Sequence, residues 1–178
     1  MEQDIANIRQ AIRDVPDFPK PGIVFKDITP LLSNGLLFKK TIDLLADRYR
    51  TQRIDAVLGI ESRGFIVGSA LAYALGVGVA LVRKPGKLPF ETHKANYTLE
   101  YGVDALEIHI DGLPRNARVV IADDLIATGG TASATAQLVG ILGATVVECA
   151  FVIELSFLKG RDKLLPYSVF SLLQYDAE

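Results

Sequence analysis

The stretch VVIADDLIATGGTA, residues 119–132, decides how the chain is read. Four apolar residues suited to a buried strand run into two adjacent acids, Asp123 and Asp124. The chain then turns through Thr128, Gly129, Gly130 and Thr131 into a helical pattern, TASATAQLVGIL. Strand, glycine loop and helix in that order make one unit of an α/β sheet. The backbone N–H groups and hydroxyls of Ala127, Thr128, Gly129, Gly130 and Thr131 can converge on an anion at the helix N-terminus; the alternative is an ordinary turn capped by Thr. No Lys follows the glycines, so this is not a Walker loop, and the isolated Gly76-x-Gly78 lacks the third glycine of a dinucleotide fingerprint.

Side-by-side carboxylates at a strand end repel each other unless donors or a cation compensate them. Two neighbouring sugar hydroxyls would supply donors, and a divalent ion bound through oxygen would supply charge. A diol held by the acids and a phosphate held a few residues downstream describe a ribose 5-phosphate.

Outward from this stretch the same pattern repeats. DAVLGI, ESRG and a helical run from Phe65 form one unit, RVVIADD with its loop and helix form a second, and TVVECAFVI adds a further strand. The expected fold class is therefore α/β: a mostly parallel central sheet flanked by helices, with ligands beyond the carboxyl ends of the strands, where ESRG and DDLIATGGT both lie. Ile5, Ile8, Ile12 and Val15 fall at helical spacing, so an amphipathic helix is expected to open the chain and to be stopped by Pro16, Pro19 and Pro21. PGIVFKDITPLL reads as an extended segment and turn, and Leu37 to Tyr49 as a second helix through Ile42, Leu45 and Tyr49. Residues 83–110 begin as a polar Pro- and Gly-rich loop, a candidate lid, and end in an alternation through Leu106, Ile108 and Ile110 that reads as a hairpin.

At 178 residues, 49% hydrophobic and 22% charged, the chain is sized for a single domain, 1–178, whose core needs no disulfide or metal. A net charge of −2 argues against a nucleic-acid binder, so any anionic ligand must be held by local cations. Cys149, the only cysteine, sits in the apolar run VVECAFVI as a small core residue; no internal disulfide is possible, and a cytoplasmic setting is expected. MEQDIANIRQ lacks the pattern of a signal peptide. Residues 65–82 carry no charge and reach membrane-span length, but Gly76 and Gly78 split them into a buried helix and a buried β-branched strand, so no membrane span is expected. His93 and His109 have no partner at a metal-ligand spacing and read as polar surface residues.

The stretch 119–132 resembles the phosphoribosyl diphosphate (PRPP) signature of type I phosphoribosyltransferases. With DFPKPGIVFKDITPLL, ESRGF, RKPGKLP, YTLEYG, ELSFLKGRDKL and FSLLQY, nearly the whole chain resembles the adenine-specific members of that family. The resemblance implies their fold, with a small N-terminal hood over about residues 1–35 and a flexible loop or hairpin over about 85–104. It implies a purine salvage activity, adenine and PRPP giving AMP and diphosphate, dependent on Mg²⁺ held mainly through PRPP near Asp123 and Asp124. Those acids would bind the ribose hydroxyls, and Ala127, Thr128, Gly129, Gly130 and Thr131 the 5-phosphate.

Around the diphosphate the family places Arg63, Arg83, Lys84 and Lys87, with a non-proline cis peptide between Glu61 and Ser62. The position of Arg83 reaches a neighbouring subunit's site in the family, which implies a homodimer. Glu100 is the family's proton relay to the base, and Tyr101 the flap. Adenine recognition falls to backbone groups near Val24 and Phe25 and to the side chain of Lys26, where the family often has Arg. The enzymes for hypoxanthine and guanine carry an acid at the position of Ala127; a 6-oxopurine transferase is thus the nearer alternative, and a non-catalytic PRPP-sensing regulator a more distant one.

Overall fold

The computed structural model describes residues 2–99 and 102–177. Its centre is a five-stranded parallel sheet in the order β4-β3-β7-β8-β9, built from β3 (Ala56–Ile60), β4 (Gly78–Val82), β7 (Arg118–Ile126), β8 (Thr145–Leu155) and β9 (Val169–Tyr175). Strand alternation divides the apolar residues between two faces. Leu58, Ile121 and Phe151 pack with Leu138 and Val139 of α5 (Gly130–Ile141). Val57, Val120 and Val152 pack with Leu45 of α3 (Gly35–Asp47) and with Val67 and Leu71 of α4 (Gly64–Leu75). After β4 the chain returns to the far side of β3, so the topological switch lies between β3 and β7, and their carboxyl ends are adjacent.

The apolar run 65–82 divides at Gly76, which closes α4 in the left-handed region at φ 70°. Among the described residues no helix is long and apolar enough to cross a membrane. The following strand is not buried as expected: β4 is a sheet edge, and Val79 and Leu81 are each 41% exposed. Cys149 lies in the core, where burial pushes its thiol up to about 12.

The N-terminal region differs from the periodicity reading. The first helix, α1, covers Glu2–Gln10 and ends well before Pro16; Val15 belongs to β1 (Arg13–Pro16), paired antiparallel with β2 (Val24–Asp27) and opposite Phe25. A residue preceding proline disfavours the helical region, and cross-strand pairing prevails over the helical spacing. The expected turn at ITPLL is a short helix, α2 (Thr29–Ser33), with Pro30 in its first turn, where a missing N–H costs nothing. Asn34 caps α3 by accepting from the Leu37 N–H at 3.1 Å.

Among the described residues of the expected flexible segment, about 85–104, only 85–91 lacks regular structure, since β5 (Thr92–Leu99) pairs antiparallel with β6 (Gly102–His109). Ala95, Leu106 and Ile108 of this hairpin are core residues, whereas Ile110 is 38% exposed beyond it. His109 is not a surface residue: its ring is half-buried edge-on to Phe90, and its Nε2 is buried without a hydrogen-bond partner among the described residues. His93 is half-buried as well.

Tyr49 lies past the end of α3 and is wholly buried; its hydroxyl donates to Glu148 at 2.7 Å, beside the two bonds from Arg48 at 2.5 and 2.7 Å. Burial pushes the Glu148 carboxyl up, but the bonds from Arg48 and Tyr49 outweigh it and hold it below its ordinary 4.5. Glu148→Ala leaves the buried Tyr49 hydroxyl unpaired, while the partly exposed Arg48 can turn to water, and is expected to cost about 1–3 kcal/mol in urea unfolding. Because the folded value is the lower one, the contribution is complete above the ordinary carboxylate value and fades as pH falls through the depressed one. The gap between wild type and Glu148→Ala is therefore expected to narrow at acid pH.

Candidate active site

At the switch point β3 delivers Glu61, Ser62 and Arg63, and β7 delivers Asp123 and Asp124. The Glu61–Ser62 peptide is cis, in agreement with the family resemblance. Arg63 Nε donates to Asp124 Oδ2 at 2.5 Å, and its guanidinium lies 5.5 Å from the centre of the Phe25 ring. Both acids are buried, Asp123 at 8% exposure and Asp124 at 5%. Asp123 Oδ1 accepts from the Asp124 backbone N–H at 2.8 Å and presses on Gly64, where a Cβ would come within 2.6 Å of it. Burial and the neighbouring Asp124 charge push the Asp123 carboxyl well above its ordinary 3.8.

Downstream the chain enters the glycine loop. Gly129, at φ 77°, caps α5 with no side-chain hydrogen bond, so the turn is not capped by Thr. The first intrahelical bond there runs from Ser133 N–H to Gly129 C=O at 2.9 Å, which leaves the amides of the first turn outside the ladder. Ala127, Thr128, Gly129, Gly130 and Thr131 line a cavity of about 180 Å³ together with Tyr97, Leu125 and Phe151. Backbone amides, a hydroxyl and a helix N-terminus around one small cavity suit a tetrahedral anion.

The remaining expected residues divide. Arg83 bonds Glu61 at 2.9 Å and the Lys87 carbonyl at 3.0 Å, and its guanidinium lies 5.7 Å from the Phe65 ring. Lys84 pairs with Asp104 at 3.0 Å, and Lys87 is exposed. Val24 and Phe25 are half-buried on β2. The Lys26 side chain is buried and pairs with Asp14 at 2.9 Å. Glu100 and Tyr101 lie outside the described residues.

Two contributions escaped the sequence reading. The Tyr97 hydroxyl donates to Asp104 at 3.1 Å, and its own proton is held to about 12 by burial and by that bond. Gly160 packs backbone to backbone on the loop: a Cβ on Gly129 would overlap the Gly160 carbonyl, and one on Gly160 the Ala127 carbonyl. Alternation in YTLEYG hinted at Tyr97 on a strand; nothing in the sequence signalled the contact between two glycines so far apart.

Residues 27–177 match the phosphoribosyl transferase domain family. The chain is 59% identical over 169 residues to the adenine phosphoribosyltransferase of Syntrophotalea carbinolica, a match covering 95% of this chain and 99% of that one. The chain belongs to the adenine phosphoribosyltransferase family. Among solved structures it is similar to that family's member from Thermoanaerobacter pseudethanolicus, with a TM-score of 0.94 at 50% identity over 96% of this chain and 99% of that one. It is also similar to the Saccharomyces cerevisiae member complexed with adenine and an imino-altritol bisphosphate, with a TM-score of 0.92 at 46% identity over 97% and 100% of the two chains.

The raised carboxyl has a consequence for stability. The folded protein holds the Asp123 proton more tightly than the unfolded chain, so folding is penalised increasingly as pH rises from 3.8 toward the folded value. Asp123→Asn keeps the acceptor for the Asp124 N–H and removes the charge. It is expected to raise stability by about 1 kcal/mol at neutral pH, read by thermal melting, while impairing ligand binding.

Proposed function

We propose that the chain transfers the phosphoribosyl group of PRPP to adenine, releasing AMP and diphosphate. The observation that carries this reading is the buried acid pair beside an anion-sized glycine loop, facing Arg63 across the switch point. Ribose hydroxyls would donate to Asp123 and Asp124, relieving the repulsion, while amides of the Ala127–Thr131 loop bond the 5-phosphate. Binding would exchange the partners of Arg63: its guanidinium leaves Asp124 for the diphosphate, and the sugar takes its place.

Departure of diphosphate leaves positive charge on the sugar, so the protein must hold three charges: leaving group, ribose and base. Arg63, Lys84, Lys87 and the backbone at Glu61 and Ser62 stabilise the first, and fixed cations in a partly dry site act with little reorganisation. The carboxylates beneath the ribose favour the second. Glu100 handles the proton of the attacking base, with Tyr101 as flap, an assignment resting on the family resemblance. Mg²⁺ fits the oxygen chemistry of Asp123 and Asp124, but no group of three metal-ligating side chains occurs among the described residues, so most of its ligands would come from PRPP, where it would neutralise diphosphate charge.

At Ala127 the methyl group leaves no acid for a purine ring nitrogen. Backbone groups of Val24 and Phe25 suit the exocyclic amine of adenine, the base bound by the similar yeast enzyme. A carbonyl at that position would set acceptor against acceptor.

We further propose a homodimer. Its support is an apolar groove of about 810 Å³ lined by Phe38, Ile42, Phe65, Ile66, Ala70 and Tyr73 on the α3–α4 surface, with Tyr73 90% exposed, close to the Phe65 ring that Arg83 touches. The single buried cysteine supports a cytoplasmic setting.

The test is AMP formation from adenine, PRPP and Mg²⁺, with hypoxanthine and guanine in parallel. Turnover with adenine alone is expected, and Glu100→Ala is expected to lower kcat about a hundred- to ten-thousandfold. Turnover with the oxopurines would move the assignment to that branch; PRPP binding without product from any base would make the protein a sensor.

A further inference from the structure

The β1–β2 ribbon carries the base-facing segment and has no third strand among the described residues. Two-stranded ribbons are marginal alone, so side chains must attach this one. Asp14 and Lys26 stand directly opposite each other in its register, and strand alternation puts them on the face away from Val15 and Phe25. The Lys26 side chain is only 4% exposed, yet its ammonium has two partners: Asp14 Oδ1 at 2.9 Å and the Tyr175 ring at 4.7 Å. Tyr175 ends β9, and Arg9 of α1 also stacks on its ring at 4.7 Å while bonding the Gln174 carbonyl at 3.1 Å. A buried ammonium is costly unless its site is built for it, and a desolvated cation on an aromatic ring is the stronger form of that contact. The ring thus joins the helix, the ribbon and the last sheet strand.

We propose that Lys26 is a positioning residue whose ammonium, clamped between Asp14 and Tyr175, pins the ribbon to the sheet so that Val24 and Phe25, the residues just before it on β2, form a fixed wall of the base subsite. The proposal rests on the adenine reading for its kinetic consequence. Lys26 then acts on the base through the ribbon, and its side chain needs no contact with it.

The test uses Lys26→Met, which keeps the stem, Lys26→Arg, which keeps the charge, and Tyr175→Leu, which removes the ring. Steady-state kinetics and amide exchange of the 24–27 peptide are read together. Lys26→Met and Tyr175→Leu are expected to raise KM for adenine about tenfold with KM for PRPP and kcat within about twofold, and to speed exchange of 24–27 while the β3 and β7 peptides stay protected. Lys26→Arg is expected to restore both readouts to within about threefold. Equal rises in the two KM values, or unchanged exchange in both variants, would overturn the proposal. Should the wild type turn over no adenine, the base assignment fails separately, and exchange alone decides whether Lys26 pins the ribbon.

Discussion

Two carboxylates cannot be buried side by side unless something holds them, and this requirement organises the molecule. Asp123 and Asp124 sit at the end of a central strand with almost no exposure, and one of them is neutralised by an arginine from 61 residues earlier. That arginine reaches because β3 and β7 are neighbours at the switch point. The other acid is pressed against Gly64, the first residue of the helix that follows the arginine, where a larger residue would collide with the carboxylate. Sheet order, glycine and guanidinium therefore answer one electrostatic problem, and they leave Asp123 imperfectly compensated. The residual repulsion is what a diol or cation would relieve, so binding capacity and stability are opposed at this residue.

The glycine loop depends on packing from behind. Gly160 lies so close to Gly129 and Ala127 that no side chain fits on either glycine. Its own segment is fastened by Arg161, which bonds both Glu154 oxygens at 2.6 Å and the Val169 carbonyl at 2.8 Å, with the Ser171 hydroxyl also donating to Glu154. Glu154 is nearly fully buried at the end of β8. The last two strands thereby set the position of a loop that precedes them in the chain, and a rigid wall behind the amides is what an oriented anion site needs.

Much of this was legible in the sequence, for identifiable reasons. The strands and helices of the sheet announce themselves because burial on both faces demands continuous apolar runs, and the acids and glycines because their local chemistry is costly without a ligand. The short elements were misread: Val15 follows helical spacing but lies in a strand, since a few residues cannot outweigh pairing with β2. Lys26 was expected at the base from residue type, which tells charge and not direction; its pairing with Asp14 and its burial against Tyr175 are tertiary facts. Arg63 with Asp124, and Gly129 with Gly160, join positions that only the fold makes neighbours.

A chain with a net charge of −2 must bind an anion through local fields, and the site is arranged accordingly. Each strongly placed cation already has a carboxylate partner: Arg63 has Asp124, Arg83 has Glu61, and Lys84 has Asp104. The cations are thus held in position without a ligand, at little cost in side-chain order when one arrives. A polyanion gains only the difference between its own contacts and the internal pairs it displaces, which keeps affinity moderate and makes release feasible. Lys84 has a further consequence, since its partner Asp104 also holds Tyr97, a residue lining the loop cavity. Asp104 Oδ2 thus serves Lys84 and Tyr97 together, so under the proposed function a diphosphate that drew Lys84 away would leave this carboxylate to Tyr97 alone.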